Sequence, residues 1–154
     1  MNAACVAAGE RLSACYDRIG RERMAGLPVC NPALAVEAVG FRALAGEAVG
    51  VLVTPWCMNL VLLGLPGAPP RSALPAGATR DVSFPVGTIT LTVALLEPFG
   101  RVDAASLVSP MDAFASQDDA RATALAALQT VLTPPAPVAS GRRGLLFGRA
   151  TASP

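Results

Sequence analysis

Acid–base, nucleophilic and metal chemistry draws on His, Cys and clustered carboxylates, and this 154-residue chain is poor in them. It has no His at all, which excludes Ser-His-Asp and Cys-His arrangements, His metal ligands and a His general base. The four cysteines, Cys5, Cys15, Cys30 and Cys57, are spread along the sequence and form no CxxC pair. Zinc and iron–sulfur centres take closely spaced thiolates, so no metal and no other cofactor is expected. The thiols read instead as small apolar side chains in a reducing compartment. A nucleophilic Cys57 would need a nearby positive charge to lower its pKa, yet no residue between Glu47 and Arg71 is charged. An enzyme is not expected.

What remains is the chemistry of recognition. Apolar residues make up 53% of the chain and charged residues 15%, against roughly 25% charged in an average domain. So little polar cover leaves apolar surface exposed, which points to a partner. A net charge of +1, with all twelve basic residues being Arg, gives no basic face for nucleic acid. The pentapeptide "PWCMN" (55–59) holds the single Trp beside a Pro, within the charge-free "VLVTPWCMNLVLL" (51–63). Aromatic and Met side chains give adaptable apolar contact, so Pro55, Trp56, Met58 and Asn59 are candidate partner-binding residues. Trp56 can equally plug the end of the core, and composition leaves the two open. A membrane span is not expected, because about 20 apolar residues are needed and Gly50, Pro55 and Asn59 interrupt the stretch.

The elements that must position these residues follow from periodicity. Residues 2–24 read as an amphipathic helix, with Cys5, Ala8, Leu12 and Ile19 on one side and Arg11, Asp17 and Arg18 on the other. Charges recur from Glu10 onward, unlike a secretory signal, so a cytoplasmic protein is expected. Residues 33–54 read as a hairpin whose second strand Pro55 ends or kinks, and residues 60–63 return to the core. The "GLPGAPPRSALPAGATR" of 64–80 reads as an exposed loop, "DVSFPVG" as a short strand or turn, and "TITLTVALLE" (88–97) as the clearest strand. A further strand runs to Pro110, and Ser116 with Asp119 in a capping-box position opens a helix over 116–132. The expected fold is α+β: a single two-layer domain over 1–133, its mainly antiparallel sheet flanked by N- and C-terminal helices, with a C-terminal tail over 134–154.

Four blocks of sequence go further. "NPALAVEAVGF…GVLVTPWCMNLVLL" (31–63), "FPVGTITLTV" (84–93), "SLVSPMDAFA" (106–115) and "GRRGLLFGR" (141–149) together resemble the HybE/HupJ/HoxT-type [NiFe]-hydrogenase assembly chaperones. The chain departs from that pattern at Cys57, where a large apolar residue is common, and at Gly141, where Ser often precedes the two arginines. The resemblance implies a cytoplasmic accessory protein that binds a structural subunit precursor, small or large, before twin-arginine export. Its twin-arginine signal peptide and other maturation proteins are further implied partners. With this implication Pro110 and Met111 of "SPM" join the candidate surface, because both blocks end strands at Pro and can meet. Arg142 and Arg143 join it as well: "GRRGLLFG" resembles an export motif, and it is expected either to occupy the chain's own peptide-binding surface or to be a basic tail with an apolar patch. The competing function is a small-molecule or lipid-binding domain with its pocket mouth at the same strand ends.

Overall fold

A computed structural model describes residues 3–68, 71 and 73–136. Helix α1 (Ala3–Ile19) runs on into a π-helical turn (Gly20–Met24). Six strands follow, β1 (Glu37–Leu44), β2 (Glu47–Val53), β3 (Met58–Gly64), β4 (Thr79–Phe84), β5 (Gly87–Leu96) and β6 (Gly100–Val108), and then helix α2 (Gln117–Val131). They form one sheet in the order β1-β2-β3-β6-β5-β4 with every neighbouring pair antiparallel. Two meanders therefore join through β3 and β6, and the connection from β3 to β4 crosses from the centre of the sheet to its far edge. The α+β class, the antiparallel sheet and its flanking helices are as expected. No helix among the described residues is long and apolar enough to cross a membrane.

The layering is finer than two. Strands β2 and β3 are apolar on both faces, which a strand can be only if both faces are covered. Val49, Val51, Val53, Met58, Leu60 and Leu62 pack with Ala120, Ala124, Leu128 and Val131 of α2. Ala48, Leu52, Val61 and Leu63 pack with Cys5, Ala8 and Leu12 of α1. Helices thus lie on opposite faces of the sheet, three layers deep at this end of it.

A bulge in β1 makes this possible. The pairing of β1 with β2 slips between Val39 and Arg42, and Gly40 sits there at φ +69°, the left-handed conformation a bulge with Gly exploits. Val39 faces α2 while Phe41, two residues on, faces α1. The Phe41 ring then lies between Gly9 of α1 and Gly50 of β2, where a Cβ would come within 2.7 Å and 2.3 Å of it.

The same sheet buries a charge. Asp103 on β6 has no exposed surface. It takes both Nε and Nη2 of Arg101 at 2.8 and 2.9 Å, Arg71 at 2.7 Å and Arg80 at 2.8 Å. Glu47 of β2 meets Arg80 at 2.8 Å and Arg71 at 3.3 Å. Burial would raise the Asp103 carboxyl, but the Arg101 hydrogen bonds and the charges of Arg71, Arg101 and Arg80 outweigh it and hold it below the usual carboxylate range. This corrects the reading of 64–80 as simply an exposed loop. Gly64 and Arg80 belong to strands, and Arg71 turns inward to hold the crossing to the sheet. Glu47 and Arg71, the two ends of the charge-free stretch, are partners in space.

Candidate partner-binding site

The turn between β2 and β3 carries the Pro-Trp pair, and Thr54 shapes it. Its Oγ1 accepts from the backbone N–H groups of Trp56 (3.2 Å) and Cys57 (2.9 Å), and its own N–H donates to the Cys57 carbonyl at 2.8 Å. Pro55 follows Thr54, where a fixed φ and a missing N–H favour a tight turn. Thr54 is itself buried, so the hydroxyl that organises the turn belongs to the core and the turn is held from beneath.

Trp56 is half-buried. Its ring stacks on Tyr16 of α1 with centroids 6.4 Å apart and planes 23° apart, and its six-membered ring lies against Gly20, where a Cβ would sit 3.3 Å away. Trp56 is thus neither wholly in the core nor wholly outside it: one side seals the end of α1, and the other lines a groove. That groove holds about 510 Å³ between the π-helical turn, the loop at 25–36 and the Pro55-Trp56 corner. Leu27, Pro32 and Leu34 give it apolar walls, and Asp17 and Arg21 stand at its rim, paired at 3.5 Å. Leu27 and Val29 are 43% and 44% exposed, so the loop presents large apolar side chains to solvent.

Asn31 ties the site together. Its Nδ2 donates to the carbonyls of Met111 (3.0 Å) and Phe114 (2.8 Å), and its N–H donates to the Pro55 carbonyl at 2.9 Å. Its Oδ1 accepts from Ala33 N–H at 2.9 Å. A second tie comes from α2, where the Gln117 Oε1 accepts from the Ala35 N–H at 2.8 Å. One residue thus joins the groove loop, the β2–β3 turn (through its backbone N–H) and the segment after β6 (through its side chain).

The two candidate blocks do meet, as expected, though at the ends of two central strands, where Met58 pairs with Val108. Pro110, after a cis peptide bond, is exposed, and Pro55 and Asn59 are half-buried. Met58 and Met111 have no exposed surface. They lie in the α2-facing core, Met58 flanked on both sides by paired strands, and neither lines the groove. Arg142 and Arg143 lie outside the described residues. Sequence reasoning missed Leu27, Asn31 and Leu34. No local signal marked Asn31, because its hydrogen-bond partners lie 80 and 83 residues away.

The chemistry on offer is that of contact. All four cysteines are free thiols, Cys5 and Cys15 buried and Cys30 and Cys57 half-buried. Burial pushes the Cys57 thiol above its ordinary value, against the lowering effect of hydrogen bonds with Thr54 and Asn59. Burial also pushes the Tyr16 hydroxyl up to about 12, helped by Cys57 and Cys15. Both groups are therefore neutral near pH 7. Among the described residues no group of three His, Cys, Asp or Glu side chains is placed to hold a metal ion.

A sheet braced by helices on opposite faces, with an apolar groove and a stacked Trp at one end, has the make-up of a binding protein. The comparisons with known proteins agree. The model of a family described as [NiFe]-hydrogenase assembly, chaperone, HybE matches residues 7–148. The hydrogenase expression/formation protein HoxT of Azotobacter vinelandii is 48% identical over 145 residues, covering 92% of this chain and 91% of that protein. The hydrogenase expression/formation protein HupJ of Bradyrhizobium diazoefficiens is 46% identical over 136 residues, 86% of this chain and 76% of that one. The solution structure of HybE from Escherichia coli superposes with a TM-score of 0.65 at 27% identity, covering 94% of this chain and 91% of that one. The chain belongs to the HybE family of [NiFe]-hydrogenase assembly chaperones.

Proposed function

We propose that the chain is a cytoplasmic chaperone that binds the precursor of a [NiFe]-hydrogenase structural subunit and holds it until the metal centres and the partner subunit are in place, before twin-arginine export. The observation that carries this reading is the groove at Trp56, apolar-walled and clamped by Asn31 onto the segment containing Pro110. Such a surface suits an apolar segment of a subunit that is exposed in the immature protein and covered in the mature one. Release then needs no catalysis: the chaperone binds the immature state better, and maturation removes that differential affinity. The absence of His and the raised Cys57 thiol support a role without turnover. Pro55, Trp56, Asn59 and Pro110 supply contact surface together with Leu27, while Met58 and Met111 lie in the core. Family membership favours this reading over a small-molecule or lipid pocket.

The test is co-purification of a tagged copy from cells making the hydrogenase, with each structural subunit followed separately. Wild type is expected to recover one subunit in its precursor form, and Trp56→Ala with Leu27→Asp to lose it. Equal recovery by a folded variant would remove this groove from the account.

A further inference from the structure

The groove beside Trp56 has a second candidate occupant within the same chain. Residues 145–147 are Leu-Leu-Phe, preceded by Arg142, Arg143 and Gly144. The other four Phe side chains of the chain, at 41, 84, 99 and 114, are all buried or half-buried. Three adjacent large apolar residues are costly to leave in water, at about 1.5–3 kcal/mol each, and they need an apolar surface to rest on.

A hollow lined by Val86, Ala126 and Thr130 lies nearer the root of the tail; reach permits the Trp56 groove, and its larger apolar side chains and nearby carboxylates favour it. The tail departs beyond the C-terminal end of α2, whereas the groove loop adjoins the helix's N-terminal end through the Gln117–Ala35 hydrogen bond. A course from there to the groove therefore covers about one helix length. For the 15 residues of α2 that is about 22 Å. Residues 137–143, extended at about 3.3 Å each, span about 23 Å, which delivers Leu145 to the groove. On that course the two arginines arrive at a corner where carboxylates outnumber cations, Arg121 already pairing with Asp118 and Glu37 at 2.7 Å each. Asp118 and Asp119 are exposed in the first turn of α2, and exposed Asp112 follows Met111, whose carbonyl is held by Asn31. The family match also runs past the described residues, to 148, so it takes in the Leu-Leu-Phe segment.

We infer that residues 142–147 dock intramolecularly on the groove, Leu145 to Phe147 against Trp56, Leu27 and Leu34, and Arg142 and Arg143 over Asp112, Asp118 and Asp119. That the docked segment competes with the client rests on the proposed function; the docking itself does not.

Trp56 is the single tryptophan, so its emission reports the groove directly. The experiment compares the full chain with the full-length variant Leu145→Asp/Phe147→Asp, using emission wavelength and acrylamide quenching, with circular dichroism to confirm the fold. The variant is expected to emit at longer wavelength and to be quenched more strongly. A synthetic peptide of residues 141–149 added to it should reverse both changes, and a scrambled peptide should not. Identical emission and quenching in the two proteins would overturn the inference. So would a difference that grows with protein concentration, which would place the tail on a second copy. A docked tail with no effect of the variant on subunit capture would leave the inference standing and count against competition alone.

Discussion

Replacing Asn31 tests the clamp that builds the site. In Asn31→Ala the carbonyls of Met111 and Phe114 lose their shared donor, and the Ala33 N–H loses its acceptor. Ala33 is exposed, so its N–H turns to water at little cost. The two carbonyls sit over the buried Met111 and half-buried Phe114 and rehydrate less readily. At about 0.5–1.5 kcal/mol per bond, the loss of the two is about 1–3 kcal/mol, or about 2–12 °C in melting temperature for a domain of this size. Asn31→Asp separates hydrogen bonding from shape. It keeps the outline but points a carboxylate at two carbonyl oxygens, so near neutral pH it should melt below Asn31→Ala. The new carboxyl can donate to one of those carbonyls only when protonated, so folding raises its pKa above the unfolded value. The folded state then binds more protons than the unfolded one, and the variant should regain stability as pH falls through the carboxylate range. The assay is thermal denaturation by circular dichroism at several pH values. An Asn31→Asp variant as stable as wild type near pH 7, or one that loses further stability relative to wild type on acidification, would refute the clamp.

Gly50→Ala places a methyl 2.3 Å from the Phe41 ring and should cost about 1–3 kcal/mol in chemical denaturation, part of which Phe41→Leu in the same chain should restore. Asp103→Asn leaves Arg71, Arg80 and Arg101 with too little negative charge and should cost about 3–5 kcal/mol, lowering the melting temperature by about 6–20 °C. Because the folded-state pKa of Asp103 is depressed, its contribution is complete above the usual carboxylate range and is lost as pH falls through the folded value. The gap between wild type and Asp103→Asn should therefore narrow on acidification. Ser116→Ala removes the oxygen that accepts from Asp119 N–H at 3.1 Å and should cost about 1 kcal/mol in the same denaturation assay.

How much of this was legible beforehand depends on whether the signal was local. The N-cap of α2 at Ser116 with Asp119 is four residues long, and the sequence pattern carried it whole. Strand β5 was legible from its alternation of Thr with Ile, Leu and Val. Layering was not, because β2 and β3 are apolar on both faces and show no period that says how many layers cover them. The reversal of Phe41 depends on a bulge at Gly40, and an isolated Gly in a strand signals a bulge only once its pairing partner is known. The Asp103 network joins residues from β2, β4, β6 and the crossing loop, so its members look like ordinary surface charges when read along the chain. At the site, the Pro-Trp turn was legible from residue types, whereas the segment at 110 and 111 entered with the family resemblance. That Met58 and Met111 are buried, and that Asn31 holds the segment at 111, depends on contacts between residues far apart in sequence.

The central claim is that the Trp56 groove binds a hydrogenase subunit precursor, and calorimetric titration of the purified precursor into the chain tests it most directly. A central, packed Trp contributes at least about 2 kcal/mol when it anchors an interface, so Trp56→Ala should weaken binding by about thirtyfold while circular dichroism shows the fold intact. Binding of a folded Trp56→Ala variant with wild-type affinity would contradict the account.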